Sequence, residues 1–350
     1  MGLPEVLIAF KSKAVSAIKR SQKGVVALLI KDTATASVVA YKGIEDVPGG
    51  TYEAKNVDYI NKTFMGTPSK VIVVNIGTEG TVAEGLNLIK NMKINYLAAP
   101  FATAEDATAI ASFIKSQRLN KRKTIKAVLP SNKADDEGVI NFTAEEIKVG
   151  EKEYTTAEYT ARVAGALAGL PFTRSATYYV FPEVDSVKEV EDPDAAIDAG
   201  ELILIHDGEK TKIGRAVNSL TTFTVQKSKQ FSKIKRVEGM DFVKDDIRDT
   251  FNDSYVGKVI NNYDNKLLFL GAVNAYFKII ANDNILDINY DNRAEINFEA
   301  QYLYLKSIGV NVDELTIQQI LEYNTDEKVF AGAAVKFVDA MEDLFLDIAV

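Results

Sequence analysis

Short apolar runs alternate with amphipathic segments through the first half of the chain. Four runs lack polar alternation, which is typical of strands buried on both faces of a sheet: 24–30, 70–76, 94–99 and 124–129. Between them, residues 81–92 place leucine and isoleucine side chains on one helical side. Residues 104–118 begin with acids and end with bases, as the helix dipole favours. The order strand, helix, strand, helix, strand predicts an α/β layer with a parallel sheet.

A further helix is predicted over residues 156–170, TAEYTARVAGALAGL. Gly165 and Gly169 lie four residues apart and therefore on one face of this helix. Each glycine lowers the intrinsic stability of a helix by about 1 kcal/mol relative to alanine. We therefore expect a second element to pack closely against this face.

Residues 200–278 concentrate charge on predicted regular structure. The apolar run ELILIH (201–206) precedes the turn residues Asp207-Gly208 and a second run, which predicts a β-hairpin. A charged helix (239–251) and a long apolar helix (265–280) follow. Five basic residues with no acid between them separate hairpin and helices: Lys227, Lys229, Lys233, Lys235 and Arg236. Charge without an evident catalytic group favours a surface that contacts other proteins.

The last part of the chain contains two more helical segments. Residues 294–308 are predicted as a helix that Gly309 ends, and residues 315–323 as a short helix.

Both ends of the chain are apolar and strand-like without a hairpin partner of their own. They read MGLPEVLIAF (1–10) and VKFVDAMEDLFLDIAV (335–350). Such a segment can pair with a sheet edge, including the edge of another chain. For the N-terminal run, the alternative is the first strand of the local sheet, and the residues leave both alternatives open.

Composition excludes several classes of function. The length of 350 residues predicts two or three domains with ample core. A net charge of −8 argues against general nucleic-acid binding, which needs excess lysine and arginine. The absence of cysteine excludes disulfides, thiol nucleophiles and cysteine-based zinc sites. No stretch is apolar and long enough to cross a bilayer, and basic residues between 11 and 20 interrupt any secretion signal.

Tests for catalytic motifs give no enzyme signature. His206 is the single histidine and lies next to Asp207, but no Gly-x-Ser-x-Gly elbow accompanies this pair, so a turn-facing histidine is the favoured interpretation. Gly257-Lys258 lacks the preceding glycine and following hydroxyl residue of a phosphate-binding loop. No Gly-x-Gly-x-x-Gly follows a predicted strand. We therefore predict no catalytic residue, no cofactor and no metal.

Acidic residues recur every fourth position on the predicted charged helix: Asp241, Asp245, Asp249 and Asp253. Carboxylates spread over three turns do not form a compact metal cage, and a solvated helix face is the simplest interpretation. The sharper hypothesis is an acidic stripe that contacts a basic surface of a neighbouring subunit.

Several blocks of the sequence resemble the tail sheath proteins of contractile-tailed bacteriophages and phage-tail-like bacteriocins. The blocks are EYTARVAGALAGLPFTRSAT (158–177), AGELILIHDGEKTKIGRAVNSLTT (199–222), EGMDFVKDDIRDTFNDSYVGKVINNYDN (238–265) and VKFVDAMEDL (335–344). The opening Gly2-Leu3-Pro4 is also similar. The resemblance is dense beyond residue 154 and weak between residues 32 and 152.

The resemblance implies a structural function. Sheath subunits form a homo-oligomer of stacked rings or a helix around a tail tube protein, and they meet baseplate and tail-terminator proteins. Contraction from a metastable extended state drives the tube through a target cell envelope. Terminal arms add strands to the sheets of neighbouring subunits; here we expect them to use Leu3, Val6, Ile8, Phe10, Phe337, Leu344, Leu346 and Ile348. The implied location is a virion tail or bacteriocin particle, assembled in the cytoplasm of a bacterial host.

The resulting prediction is a multi-domain, mixed α/β protein with α/β sandwich-like domains and extended terminal arms. The predicted parts are an N-terminal arm (1–22), an outer α/β region (23–184), a tube-facing inner core (185–333) and a C-terminal arm (334–350). An acidic linker over residues 185–194 suggests the boundary between outer and inner parts. The five basic residues at 227–236 are the expected tube contact. The alternative function is an α/β enzyme or small-ligand binder that uses residues 70–184.

Overall fold

The computed structural model describes residues 24–349. Within these residues the chain divides into two compact units, a larger one of residues 24–241 and 339–349 and a smaller one of residues 242–338. Both units combine helices and strands, as the predicted mixed α/β fold class requires. No described helix has the length and apolar character needed to span a membrane.

The larger unit is built on a parallel sheet. Its strands are β1 (Val25–Ile30), β2 (Ser37–Tyr41), β3 (Lys70–Asn75), β4 (Tyr96–Ala98), β5 (Lys126–Pro130), β6 (Val139–Phe142), β7 (Ile147–Val149), β8 (Lys152–Tyr154), β9 (Glu201–Leu202), β10 (Leu204–His206) and β11 (Thr211–Ile213). Seven of these form the sheet, in the order β2-β3-β1-β4-β5-β6-β9. All its neighbouring pairs are parallel except β2 with β3. The predicted parallel α/β layer is thereby confirmed.

Six helices begin in the larger unit: α1 (Ala54–Phe64), α2 (Val82–Ile89), α3 (Ala104–Asn120), α4 (Thr156–Gly169), α5 (Pro193–Asp198) and α6 (Ile234–Ser254). Three of them start at a threonine whose hydroxyl accepts the backbone N–H three residues on, while an acidic side chain at that position bonds back to the threonine. These reciprocal caps satisfy N–H groups that have no partner inside the helix. The local sequence therefore fixes where these helices begin.

Alternate residues of the central strands point to opposite faces and divide the core in two. On β1, Val26 and Leu28 belong to one apolar cluster, and Ala27 and Leu29 belong to the other. The first cluster includes side chains of α1 and α4, and the second includes side chains of α2 and α3. Helices therefore cover both faces, which explains why the strands are continuous apolar runs.

The glycine face of α4 packs against α1, as predicted. A Cβ atom at Gly165 would overlap the carbonyl oxygen of Thr63, and one at Gly169 would overlap the carbonyl oxygen of Gly66. The two backbones approach so closely that only hydrogen fits between them. The prediction of close packing is confirmed.

The hairpin is confirmed, and the sheet continues beyond the predicted outer region. β10 and β11 pair in antiparallel register, with Leu204 opposite Ile213. Just before them, β9 pairs in parallel with β6, so that Phe142 lies opposite Leu202. β9 is the edge strand of the seven-stranded sheet, so this pairing joins residues on the two sides of the boundary predicted at 185.

The smaller unit contains the end of α6 and five further elements: α7 (Tyr263–Asn282), β12 (Arg293–Ile296), α8 (Phe298–Ser307), α9 (Ile317–Glu322) and β13 (Ala331–Ala334). β12 and β13 pair in antiparallel register. The start of the helix predicted over 294–308 is corrected, because residues 293–296 form β12 instead.

Residues 339–349 contain neither helix nor strand in the structure. The strand-like pattern of this stretch therefore finds no partner within the described chain. Phe337 makes one isolated antiparallel bridge with Leu286. The predicted N-terminal arm residues Leu3, Val6, Ile8 and Phe10 lie outside the described residues.

Candidate functional site

The C-terminal segment, residues 339–349, is anchored at its base. The Asp339 carboxylate lies 2.7 Å from Lys233 Nζ and 3.4 Å from Arg236 Nε. Further along, the Ser175 hydroxyl donates to Glu342 at 2.7 Å, and Arg215 pairs with Asp343. Burial would raise the pKa of Asp339, but the two cations outweigh it and lower that pKa. The base of the segment is therefore held by its own chain.

Beyond this base, large apolar side chains face solvent. The exposed fraction is 84% for Leu344, 94% for Phe345, 69% for Leu346 and 74% for Ile348. Burying one side chain of this size stabilises by about 1.5–3 kcal/mol. A run of four in water is typical of a surface that another chain covers.

A sheet edge is open in the smaller unit. The side chain of Asn274 accepts a hydrogen bond from Ala294 N at 2.7 Å and donates to Ala294 O at 3.0 Å, so α7 covers the outer edge of β12. β13 is the other strand of this two-stranded sheet, and among the described residues no strand pairs with its outer edge. Such an edge can accept a strand from another chain.

The five predicted tube-facing basic residues do not form one free basic surface. Lys233 and Arg236 pair with Asp339, as above, and Lys227 Nζ lies 2.6 Å from Glu137. Lys235 is half-buried, and this burial lowers its pKa. Lys229 is the most open, with 77% of its side chain exposed and Asp198 at 3.8 Å.

The acidic stripe is corrected at its first member. Asp241 is only 6% exposed, although its spacing predicts a surface position. Arg118 donates to both of its carboxylate oxygens, at 2.8 and 3.0 Å, and Lys126 Nζ lies 3.2 Å away. Asp241 is therefore buried within the larger unit, where one cation from α3 and one from β5 pair with it.

This buried charge cluster contains further partners that the sequence did not indicate. Lys126 is 1% exposed and also lies 3.1 Å from Glu238, which accepts a hydrogen bond from the Tyr96 hydroxyl. Burial would raise the pKa of Asp241, but Lys126 and Arg118 lower it overall. Ion pairs join every charged member of the cluster, although Arg118 Nε is buried without a hydrogen-bond partner, and this pairing makes the cluster a structural network.

Asp245 and Asp249 lie further along α6, where Arg248 sits between them. Its guanidinium is 2.7 Å from Asp245 and 3.4 Å from Asp249. Their side chains retain 18% and 13% exposure, which is less than a solvated helix face would give. Asp253 is exposed near the end of the helix.

His206 faces the hairpin turn, as interpreted from the sequence. Its Nδ1 accepts the backbone N–H of Gly208 at 3.1 Å, while Asp207 accepts from the N–H groups of residues 209 and 210. Both side chains therefore stabilise the turn. Within residues 24–349, no group of acidic residues, histidines or cysteines is placed to hold a metal.

Two family models match consecutive parts of the chain. The model described as phage tail sheath protein central domain matches residues 75–219, and the model described as phage tail sheath C-terminal domain matches residues 226–350. The chain is also 38% identical over 353 residues to the tail sheath protein of Clostridium phage phiCD119, covering 98% of each.

Solved structures share the fold. The sheath tail protein from Listeria innocua superposes with a TM-score of 0.71 at 17% identity, over 85% of this chain and 93% of that one. The helical sheath of the anti-feeding prophage, solved in its contracted state, gives a TM-score of 0.68 at 13% identity, over 94% and 93%.

Family membership supports a structural subunit, and nothing in these relatives supports the enzyme alternative. The match of nearly the whole chain to a phage tail sheath protein agrees with the family models and with the shared fold. This chain belongs to the phage tail sheath family.

Proposed function

We propose that this protein polymerises through its terminal arms into a sheath around a tail tube. The observation that carries this proposal is the C-terminal segment, whose four large apolar side chains are exposed and unpaired within the described chain. The open edge of β13 offers the kind of acceptor that such a segment needs. The anchored base at Asp339 supports transmission of force from the arm to its own subunit.

The proposed mechanism needs no nucleotide. The sheath assembles in an extended, metastable state against the tube and baseplate, with a terminator at the other end. Release lets the subunits repack into a more stable arrangement while the arms keep neighbours connected. The free energy difference drives the tube through the envelope of the target cell. The particle is a virion tail or a bacteriocin, assembled in the host cytoplasm.

Within this proposal the chain keeps the arms expected from its sequence, and the boundary between the outer and inner parts moves from 184/185 to 241/242. Arms at 1–22 and 334–350 connect subunits, an outer α/β part begins at residue 23, and the inner part faces the tube. The described residues divide at 241/242, which supports an inner part built on residues 242–333. The strand pairing of residues 201–202 with β6 favours placing the hairpin region with the outer part.

Deletion of both arms tests the function. A variant without residues 1–10 and 344–350 should stay folded but form no hollow tubes in negative-stain micrographs, because no chain completes the sheet of its neighbour. Circular dichroism provides the control for folding. Tubes of normal length and number from this variant would remove the basis of the proposal.

For tube contact we propose the basic residues 227–236, and Lys229 is the most accessible of them. Ion pairs between exposed charges are individually weak and are screened by salt, which suits a surface that must release the tube during contraction. The substitution Lys233→Glu/Lys235→Glu/Arg236→Glu should reduce assembly on tubes. Because two of these residues also hold Asp339, Asp339→Ala is the matched control. Equal behaviour of both variants would assign the effect to the arm and not to the tube.

A further inference from the structure

A groove of about 560 Å³ opens in the smaller unit. Its apolar wall includes Phe251, Tyr255 and Phe269. The ring centroid of Phe269 lies 5.2 Å from that of Phe251 and 4.9 Å from that of Tyr255. Ile260, at the rim, is 78% exposed. Phe251 and Tyr255 are partly exposed and Phe269 is 7% exposed, and a concave surface with such an aromatic lining is typical of a binding site for an apolar group.

A buried lysine lies in the same groove. Lys266 lines the groove and is 3% exposed, and its Nζ lies 2.8 Å from the hydroxyl of Thr325. Asp326 and Glu327 also line the groove, but among residues 24–349 no carboxylate lies within ion-pair distance of Lys266 Nζ. Burial lowers the pKa of Lys266, and no neighbouring acid offsets this effect. A buried ammonium without a counter-ion is costly, so a carboxylate entering the groove would be bound favourably.

We propose that this groove binds residues 345–347 of a second copy of the chain, with Phe345 against the aromatic wall and the Asp347 carboxylate paired with Lys266. The inference rests on the proposed function, since it names the surface that receives the C-terminal segment. It adds a side-chain pocket to the backbone pairing expected at the β13 edge.

The segment carries on one face the two kinds of group that the groove would receive. In an extended chain, residues two apart point to the same side and lie about 6–7 Å from one another. Phe345 and Asp347 therefore share one face, while Leu344, Leu346 and Ile348 share the other. Asp347 is the single acid between residues 344 and 349. Phe345 is 94% exposed, so its ring does not occupy the groove of its own chain.

A double-mutant cycle in the full-length protein tests the pair. Lys266→Met and Asp347→Asn should each raise the critical concentration for polymerisation about tenfold, and the double variant should be no worse than either single one. Lys258→Met, an exposed lysine nearby whose Nζ donates to the backbone of Asp253, is the matched control and should change nothing. Additive effects, or no effect of either single change, would overturn the proposal.

A cross-linking experiment keeps the test valid if Lys266→Met does not fold. A photoreactive benzoylphenylalanine replaces Phe345 in a chain with natural isotopes, mixed with a nitrogen-15 chain. Cross-links between copies should map to peptides that contain residues 251–269. Cross-links exclusively to other regions would contradict the proposal.

The two experiments distinguish failure of this proposal from failure of the proposed function. If deletion of the arms abolishes tubes while the double-mutant cycle is additive, the groove does not bind the segment and the sheath function stands. Tubes formed without the arms would refute the sheath function itself.

Discussion

Asp241 shows at the scale of one residue how packing changes the meaning of a charge. Spacing assigns it to an acidic stripe on a helix face, yet it is buried against Arg118 and Lys126. These cations come from residues more than a hundred positions away in the chain. A helical period reports which side chains share a face, but not what covers that face.

Asp241→Asn should destabilise the larger unit by about 3–5 kcal/mol, because it leaves Lys126 and Arg118 buried without their full counter-charge. Urea unfolding at pH 7 measures this effect. Asp253→Asn, an exposed position on the same helix, is the control and should stay within about 0.5 kcal/mol of the parent. A loss below 1 kcal/mol for Asp241→Asn would show that the cluster contributes little.

The difference in unfolding free energy between the parent and Asp241→Asn should depend on pH. The pKa of Asp241 is lower in the folded protein than its ordinary value, so its stabilising contribution is complete above about pH 4. It is lost as the pH falls through the folded pKa, where the carboxyl takes up a proton. The difference in unfolding free energy between the parent and Asp241→Asn should therefore be constant from pH 7 to 5 and shrink below pH 4. A difference that grows with acid would contradict this assignment.

At the scale of elements, α1 and α4 pack closely because α4 carries glycines, without side chains, where the two backbones approach each other. The face of α4 that carries Gly165 and Gly169 lies against the end of α1 and the residues that follow it. The sequence shows the cost of two glycines in a helix, and the structure shows the reason for it. Close approach of two backbones lets both helices pack on the same face of the sheet.

Gly165→Ala should destabilise the protein by about 1–3 kcal/mol, because the added methyl group overlaps the Thr63 carbonyl and forces the helices apart. Gly271→Ala is a control with the same substitution in another helix. A Cβ at Gly271 meets no atom within 4 Å, so the change should stabilise by about 0.5–1 kcal/mol. Thermal unfolding of the two variants should give shifts of opposite sign. Equal shifts would show that helix propensity, and not packing, decides both.

At the scale of the whole molecule, the described residues present surfaces that one copy leaves uncovered. The C-terminal segment is fixed at Asp339 and Asp343 and exposed beyond them. We also propose that Asp245 and Asp249 contribute to contact with a basic surface of a neighbouring copy, through the part of each side chain that remains accessible.

Asp245→Lys/Asp249→Lys should block self-assembly and leave a folded monomer, because two like charges would then face a basic partner. Because both residues also pair with Arg248, Arg248→Ala is the control for loss of that intrachain contact. Sedimentation velocity separates monomer from polymer. Normal polymers from the double variant would refute this contact, and equal failure of the control would assign the effect to the helix itself.

The sequence by itself determined the elements whose signals are local. Continuous apolar strands, amphipathic helical segments, the hairpin turn and the paired glycines predicted the α/β layer and the elements around it. Each signal depends on neighbours in sequence, such as two glycines four residues apart or a period of 3.6. The family resemblance included the hairpin and the paired glycines, but it was weak between residues 32 and 152, where three of the four apolar runs lie.

Only the tertiary structure decided what depends on residues far apart in sequence. Residues 293–296 form a strand because 331–334 pair with them, although their own pattern predicts a helix. Asp241 is buried because α3 and β5 bring two cations to it, and the groove at Lys266 forms where a loop near residue 325 meets α7. Such contacts are chosen by burial and charge pairing across the fold, and no local pattern encodes them.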